Sequence, residues 1–259
     1  MVSIVHVIPL LHVLLLFGLA IITSWLTFSK RSFPKLRQLE ALMAVSEVIG
    51  RCVETGRPLL FTQGSASLRT SASLTVSGFT ILGDVMIESV RKGSEVIVIS
   101  NNSEQLPILR SIMEEAYLME GKPDEMKPEN LIFIGGGTYA QIAALCHTME
   151  TRNVGGLIFP GGLSGADSPI YGDYASKIGA MSIIGSTNIY TWPFCVSCYD
   201  YCLLGEDVLA AGCILSKEPM MTSSIWSGDL YRFFLVALII ISFVASWLGM
   251  DVISWFTSA

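Results

Sequence analysis

Small and polar residues follow five apolar runs of the chain, at the points where a strand would turn into a helix. Residues without bulky side chains let the backbone approach a ligand, and free amides at a helix N-terminus favour an anionic group. If the runs are parallel strands, these residues meet at one edge of the sheet. We therefore predict a site there for a small anionic metabolite or nucleotide, formed by Gln63, Gly64, Ser65, Arg69, Asn101, Asn102, Gly135, Gly136, Gly161, Gly162, Gly185 and Ser186. Alternatively, the same residues serve only the geometry of the turns.

No complete nucleotide-binding motif identifies the ligand. The chain has no phosphate-loop lysine motif, and Gly135-Gly136-Gly137 lacks the spacing of the dinucleotide fingerprint. The Ser-rich stretch 65–77 has a single charged residue, Arg69. It either surrounds an anionic ligand or forms a surface loop. These motifs leave the cofactor unknown.

Three closely spaced cysteines raise the alternative of a metal site. Cys195, Cys198 and Cys202 have a spacing compatible with thiolate ligation, and Cys213 or His147 would complete a set of four ligands. The segment is rich in aromatic residues and has no second paired knuckle. We predict buried free cysteines in an apolar strand and loop, and no metal.

Groups that could act in catalysis are scarce. The segment 161–165 is not a G-x-S-x-G nucleophile turn and has no histidine near it. A pair of carboxylates for acid–base work is conceivable among Asp167, Asp173, Asp200, Glu206 and Asp207. Glu206 and Asp207 more simply occupy the first turn of a helix, where negative charge opposes the dipole. We predict no catalytic residues and favour a protein that is not an enzyme.

The elements that must position these residues alternate along the middle of the chain. Helical patterns at 39–53, 74–91, 107–119, 139–151, 171–178 and from Glu206 to before Pro219 enclose apolar runs at 59–61, 96–99, 131–134, 156–159 and 181–184. Continuous apolar runs separated by helices indicate a parallel sheet that is covered on both faces. The prediction is an α/β fold with a Rossmann-like parallel sheet.

Both ends of the chain are apolar and long enough to cross a bilayer. Residues 2–29 and 233–250 contain no Lys, Arg, Asp or Glu. No positive charge precedes the first stretch, and its apolar core is too long for a signal peptide. We divide the chain into a transmembrane helix (1–29), a basic juxtamembrane segment (30–37), a cytoplasmic α/β domain (38–229), a transmembrane helix (230–250) and a short outer tail (251–259).

Charge predicts both the orientation and the partners. Lys30, Arg31, Lys35 and Arg37 follow the first stretch and Arg232 precedes the second, so the domain is expected in the cytosol and both termini outside. Without these five cations, residues 38–231 hold 11 Lys and Arg against 21 Asp and Glu, a formal charge of −10. An acidic domain disfavours nucleic acid, whereas the basic segment suits anionic lipid headgroups.

Several short segments give the chain a family resemblance. These are Glu114-Glu115-Ala116-Tyr117, Gly121-Lys122-Pro123-Asp124, Cys198-Tyr199-Asp200-Tyr201, Leu204-Gly205-Glu206-Asp207, Ala210-Ala211 and Leu215-Ser216-Lys217-Glu218-Pro219. Together they resemble an uncharacterised prokaryotic membrane-protein family known only as a domain of unknown function. The resemblance implies an α/β domain beside membrane spans and carries no catalytic residues with it. The triple glycine and the three-cysteine spacing depart from its pattern.

Two functions follow as expectations. The first is a non-catalytic module anchored to the membrane, which assembles with itself as a homo-oligomer or organises partner proteins. Ser242, Ala245 and Ser246 permit close helix approach, and neither span carries the charged residue of a transport path. The alternative is a sensor or enzyme that binds a small anionic metabolite or nucleotide at the strand ends.

Overall fold

The computed structural model describes residues 15–19, 21–25, 29, 39–163, 165, 167–216 and 219–247. They belong to two units, an α/β unit (Leu36–Ser216) and a helical unit (Met1–Lys35 with Lys217–Ala259). Each unit is considered separately.

A parallel sheet of six strands forms the centre of the α/β unit, in the order β3-β2-β1-β4-β5-β6. This is the strand order of dinucleotide-binding α/β folds, and it reverses direction between β1 and β4. The α/β prediction is therefore confirmed. The strands are β1 Leu59–Thr62, β2 Val96–Ser100, β3 Leu131–Phe133, β4 Gly156–Phe159, β5 Met181–Ser186 and β6 Tyr201–Leu204.

Helices cover both faces of this sheet. On one face α3 packs against α2, α4 and α8, and on the other α6 packs against α5 and α7. Right-handed crossovers explain the division, since the connections to β2 and β3 run in the opposite direction to those to β4, β5 and β6. The helices are α2 Glu40–Thr55, α3 Ala72–Lys92, α4 Leu106–Met119, α5 Thr138–Thr151, α6 Ser168–Lys177, α7 Trp192–Cys198 and α8 Asp207–Ser216.

The apolar runs become strands because both of their faces are covered. Every residue of β1, β2, β4 and β5 is buried, which explains the absence of an alternating pattern. β3 is the exception, because it lies at the edge of the sheet and Phe133 is 47% exposed. In α2, Met43 and Val53 are exposed, while Val48, Ile49 and Cys52 are buried.

The cysteine segment, predicted as a strand and loop, contains a helix and a strand. Cys195 and Cys198 lie on α7, and Cys202 lies on β6, a sixth strand that the apolar runs did not indicate. Pro193 lies at the start of α7, a position where the missing amide costs no hydrogen bond. β6 pairs with β5, and of its four residues only Leu203 is buried.

The helical unit contains α1 (Leu15–Trp25) and α9 (Pro219–Trp247). The hydroxyl oxygens of Ser24 and Ser223 are 3.1 Å apart and share a hydrogen bond. Among the described residues, Ala72–Lys92 and Ile225–Ala245 are long and apolar enough to cross a bilayer. The first is α3, which is more than half buried within the α/β unit, whereas Ser227 is the one buried residue of the second. Most of the predicted span 1–29 and the tail 251–259 fall outside the described residues.

Candidate functional site

A cavity of about 200 Å³ lies at the carboxyl edge of the sheet, near the point where the strand order reverses. The connections that leave β1 and β4 diverge here, which is where open α/β sheets bind ligands. It is lined by Ser65, Ala66, Thr70, Ser71, Leu74, Gly162, Leu163, Ser186, Thr187 and Asn188. We call this cavity the crevice.

The backbones of two connections meet beside the crevice. The amide of Ser65 donates to the carbonyl oxygen of Gly162 at 2.9 Å, and the Ser65 hydroxyl donates to the same oxygen at 2.5 Å. Gly162 has φ +75°, and a Cβ there would lie 2.2 Å from the carbonyl oxygen of Gln63. Only glycine allows so close a contact, so the loops after β1 and β4 are locked together.

Carboxamide side chains hold the β1 connection from its other side. Asn102 and Gln105 each donate from their side-chain amide to the carbonyl oxygen of Ala66, at 2.7 and 2.6 Å. Asn101 donates to the side-chain oxygen of Gln141 on α5 at 2.9 Å. The structure thus engages Asn101 and Asn102, predicted as ligand-binding residues, in contacts within the protein.

The wall after β5 is also held by its own hydrogen bonds. The hydroxyls of Ser186 and Thr191 are 2.6 Å apart, and the amide of Asn188 donates to the Ser186 hydroxyl at 3.2 Å. The indole of Trp192 donates to the Ser186 carbonyl oxygen at 3.2 Å. The wall is therefore preorganised, which lowers the entropic cost of ordering it around a ligand.

The structure brings together some of the predicted ligand residues and separates others. Ser65, Gly162 and Ser186 line the crevice, and Arg69 is exposed next to Thr70. Gly135 and Gly136 follow β3, two strands away from β1, and are exposed. Of the remaining four, Gln63, Gly64 and Gly161 are buried in the adjoining connections, and Gly185 is buried within β5.

Sequence reasoning omitted several lining residues from the ligand set. Thr70, Ser71 and Leu74 lie at the entry to α3, and Leu163, Thr187 and Asn188 follow the predicted strand ends. The Ser-rich stretch 65–77 was the signal for the first group, because its hydroxyls lead directly into a helix. The sequence did not indicate which residues at the start of that helix face the other two loops.

The electrostatic character of the crevice comes from the backbone rather than from side chains. The described lining residues contain no ionisable side chain. α3 begins at Ala72 with no acidic residue in its first turn, so the positive end of a 21-residue helix dipole lies beside the crevice. Free backbone amides at a helix N-terminus favour a negatively charged group.

The cysteines and carboxylates considered above have other surroundings. The described residues include no group of three or more His, Cys, Asp or Glu side chains placed to hold a metal ion. The Cys202 thiol donates to the carbonyl oxygen of Cys195, and burial raises the pKa of the Cys202 thiol to about 11. His147 is exposed on α5, and Cys213 is buried on α8.

Three of these carboxylates serve local structure. Asp200 accepts hydrogen bonds from the amide and the hydroxyl of Ser182 at 2.7 and 3.0 Å. Asp173 pairs with Lys177 at 2.6 Å on the surface of α6, and Asp167 accepts from the amide of Gly165 at 3.0 Å. These contacts do not form the paired arrangement that acid–base chemistry requires.

Comparison with known proteins adds a family. The model of a family described as a domain of unknown function (DUF6754) matches residues 2–257. Neither a curated protein nor a solved structure matches the chain.

Proposed function

This chain belongs to the DUF6754 family, and we propose that it is a membrane-anchored α/β module that binds a small anionic ligand in the crevice without transforming it. One observation carries the proposal: two loops at the reversal of strand order are locked by the Ser65–Gly162 contact beside the N-terminus of α3. Backbone amides at such a position favour negative charge. The lack of ionisable lining residues supports binding rather than catalysis.

The size of the crevice limits the ligand. Pockets for drug-sized molecules have volumes of roughly 300–1,000 Å³. At about 200 Å³ the crevice suits inorganic phosphate, a small carboxylate or the phosphate end of a larger metabolite. The exposed guanidinium of Arg69 would pair with charge that protrudes from it.

Calorimetry of the full-length protein in lipid nanodiscs, with inorganic phosphate as the probe, tests this proposal. We expect phosphate to bind, and Arg69→Gln to weaken the binding by about three- to tenfold through the loss of one charge-assisted contact. Arg110→Gln is the matched control, since it removes the same charge from an exposed position on α4. Absence of any phosphate binding, or equal effects of the two variants, contradicts the proposal.

Membrane anchoring is supported by the helical unit. Apart from Ser227, no residue of the span Ile225–Ala245 is buried, as expected for a surface that faces lipid. The Ser24–Ser223 contact joins the end of α1 to the first part of α9, so both termini would lie on one side if both helices cross. The basic residues 30–37 favour the outside for the termini. Carbonate extraction tests anchoring, and protease accessibility of terminal tags in intact cells tests orientation.

Self-assembly is a second candidate, favoured by the outer edge of β3. An apolar groove of about 450 Å³ adjoins this unpaired edge and is lined by Leu106, Pro107, Arg110, Met126, Pro128, Leu131 and Phe133. Exposed edge strands are templates for pairing with another chain, and the occupant we propose is β3 of a second copy. Native mass spectrometry should show a dimer that Phe133→Lys dissociates. Leu118→Lys, at another exposed apolar position, should leave it intact.

A further inference from the structure

Another cavity, of about 310 Å³, lies at the amino edge of the sheet, where the strands begin. It is formed between the end of α6 and the start of β5, where α7 also gives way to β6. α2 contributes a residue from its last part. We call this space the second cavity, and its lining residues are Arg51, Ser176, Gly179, Ala180, Met181, Ser182, Ser197, Cys198, Tyr199 and Asp200.

Two opposite charges line the second cavity without binding each other. Arg51 and Asp200 form no ion pair in the part of the chain that the structure describes. Within the same ranges the guanidinium of Arg51 makes one long hydrogen bond, 3.5 Å from Nη2 to the carbonyl oxygen of Gly179. Each of its other nitrogens still has hydrogens to donate.

The carboxylate of Asp200 is fixed through one of its two oxygens. The amide and the hydroxyl of Ser182 both donate to Oδ2, at 2.7 and 3.0 Å. Among the described residues none donates to Oδ1. Both charged groups therefore keep a hydrogen-bonding capacity that the protein itself does not use.

The rest of the wall is polar and uncharged. Ser176 and Ser197 are exposed, and their hydroxyls can both donate and accept. Tyr199 is buried and donates to the carbonyl oxygen of Ser168 at 2.6 Å, so it supports the wall rather than facing a ligand. The volume lies at the lower end of the roughly 300–1,000 Å³ that is usual for ligand pockets. Such a space suits a small polar molecule that carries both charges.

We propose that the second cavity binds a free α-amino acid, whose carboxylate pairs with Arg51 and whose ammonium group pairs with Asp200. A guanidinium binds a carboxylate through two parallel hydrogen bonds, and an ammonium group donates to carboxylate oxygens. A molecule with only one of the two charges would leave the other protein group without a partner. The site lies at the edge opposite to the crevice, and the proposal depends neither on the crevice nor on membrane anchoring.

The half-buried thiol of Cys198 reports occupancy of the second cavity in the full-length protein. Iodoacetamide alkylates thiols, and peptide mass spectrometry measures the rate at Cys198 in nanodiscs of phosphatidylglycerol, a lipid without an ammonium group. Each standard amino acid other than cysteine serves as a probe. Cys146 is the internal reference, because it is also half-buried but lies on α5 and does not line the cavity.

We expect at least one amino acid to slow the alkylation of Cys198 several-fold and to leave that of Cys146 unchanged. Its amine analogue, which lacks the carboxylate, and its acid analogue, which lacks the ammonium group, should each need about tenfold higher concentration for the same protection. No protection by any amino acid, equal protection by either analogue, or equal slowing at Cys146 would overturn the proposal. Phosphate binding in the crevice does not enter this measurement, so the two proposals fail separately.

Two variants assign the charges to their partners. Arg51→Gln should abolish the advantage of the amino acid over its amine analogue, and Asp200→Asn should abolish its advantage over the acid analogue. Neither change should unfold the domain, because Arg51 is exposed and an asparagine oxygen can still accept from Ser182. Lys177→Gln is the matched control, since it removes an exposed cation at the end of α6 that does not line the cavity. Equal effects of Arg51→Gln and Lys177→Gln would contradict a direct contact with the carboxylate.

Discussion

The two ends of the sheet are held together by different kinds of interaction. At the amino edge, where the strands begin, the connections carry Arg57, Glu95, Glu120, Lys122, Asp124, Glu125, Lys127, Glu129, Arg152 and Asp200. Arg57 donates to the carbonyl oxygens of Asn153, Val154 and Ile178 at 2.6–2.9 Å. At the carboxyl edge, backbone, carboxamide and hydroxyl groups form the hydrogen bonds that hold the connections.

The two edges also differ in what they expose to solvent. At the amino edge, charged side chains bind both one another, as Lys127 binds Glu95, and backbone carbonyl groups, as Arg57 does. The carboxyl edge carries few charges, the crevice and exposed aromatic residues. The amino edge also has a cavity, the second cavity of about 310 Å³, but its lining includes the charged residues Arg51 and Asp200. The following variants test the contrast between an uncharged and a charged edge.

The largest effect is expected at the carboxyl edge for Gly162→Ala. A Cβ at this position would lie 2.2 Å from the carbonyl oxygen of Gln63 and 2.4 Å from the amide nitrogen of Ala66. The clash and the positive φ should lower the free energy of unfolding by about 2–4 kcal/mol, measured by denaturant titration of the full-length protein in detergent. Gly137→Ala, where an added Cβ meets nothing within 4 Å, should change it little. Equal losses of unfolding free energy in the two variants would show that the loops after β1 and β4 are free to separate.

A smaller loss is expected for Gln105→Leu, which removes one of two donors to the Ala66 carbonyl oxygen. Gln105 is buried, and its hydrogen bond is 2.6 Å long. We expect a cost of about 1–2 kcal/mol that does not change with salt, because no charge is involved. A double-mutant cycle with Asn102→Ala measures how far the two donors substitute for each other. Glu104→Gln on the exposed neighbouring residue is the control.

At the amino edge, Glu95→Gln should cost about 0.5–1 kcal/mol at neutral pH, because the carboxylate is partly exposed. It accepts from Asn130 at 3.0 Å and Lys127 at 3.1 Å. The Asn130 hydrogen bond, followed by that of Lys127, lowers the pKa of Glu95. Its contribution is therefore present above the ordinary glutamate pKa and is lost as pH falls through the lowered value.

Unfolding measured from pH 7 to 3 at low and high salt tests this sign. The difference between wild type and Glu95→Gln should shrink toward acid pH and in salt. Glu129→Gln, on the same connection as Lys127, is the control. A difference that grows toward acid pH would contradict the stabilising role of the ionised carboxylate.

The sequence predicted the features that depend on residues close together in the chain better than those that depend on distant contacts. The apolar runs of β1, β2, β4 and β5 predicted buried parallel strands, because every residue in them is covered on both faces. A strand was predicted in the cysteine segment without bounds, and β6 was not among the delimited apolar runs; only Leu203 of its four residues is buried. In the candidate site, Ser65, Gly162 and Ser186 were predicted, but the carboxamide ties of Asn101 and Asn102 depend on contacts with residues distant in sequence.

The smallest effect is expected for Asp173→Asn, which breaks an ion pair with Lys177 on the surface of α6. The two groups are 2.6 Å apart, but both side chains are more than 60% exposed. Water and salt screen such a pair, and holding two mobile side chains together opposes the attraction. Thermal unfolding should therefore show no resolvable change in Tm at physiological salt, in contrast to Glu95→Gln. A Tm loss as large as that of Glu95→Gln would mean that exposed ion pairs stabilise this domain as much as the Glu95 network does. The hydrogen bonds of Glu95 would then not explain the contrast between the two edges.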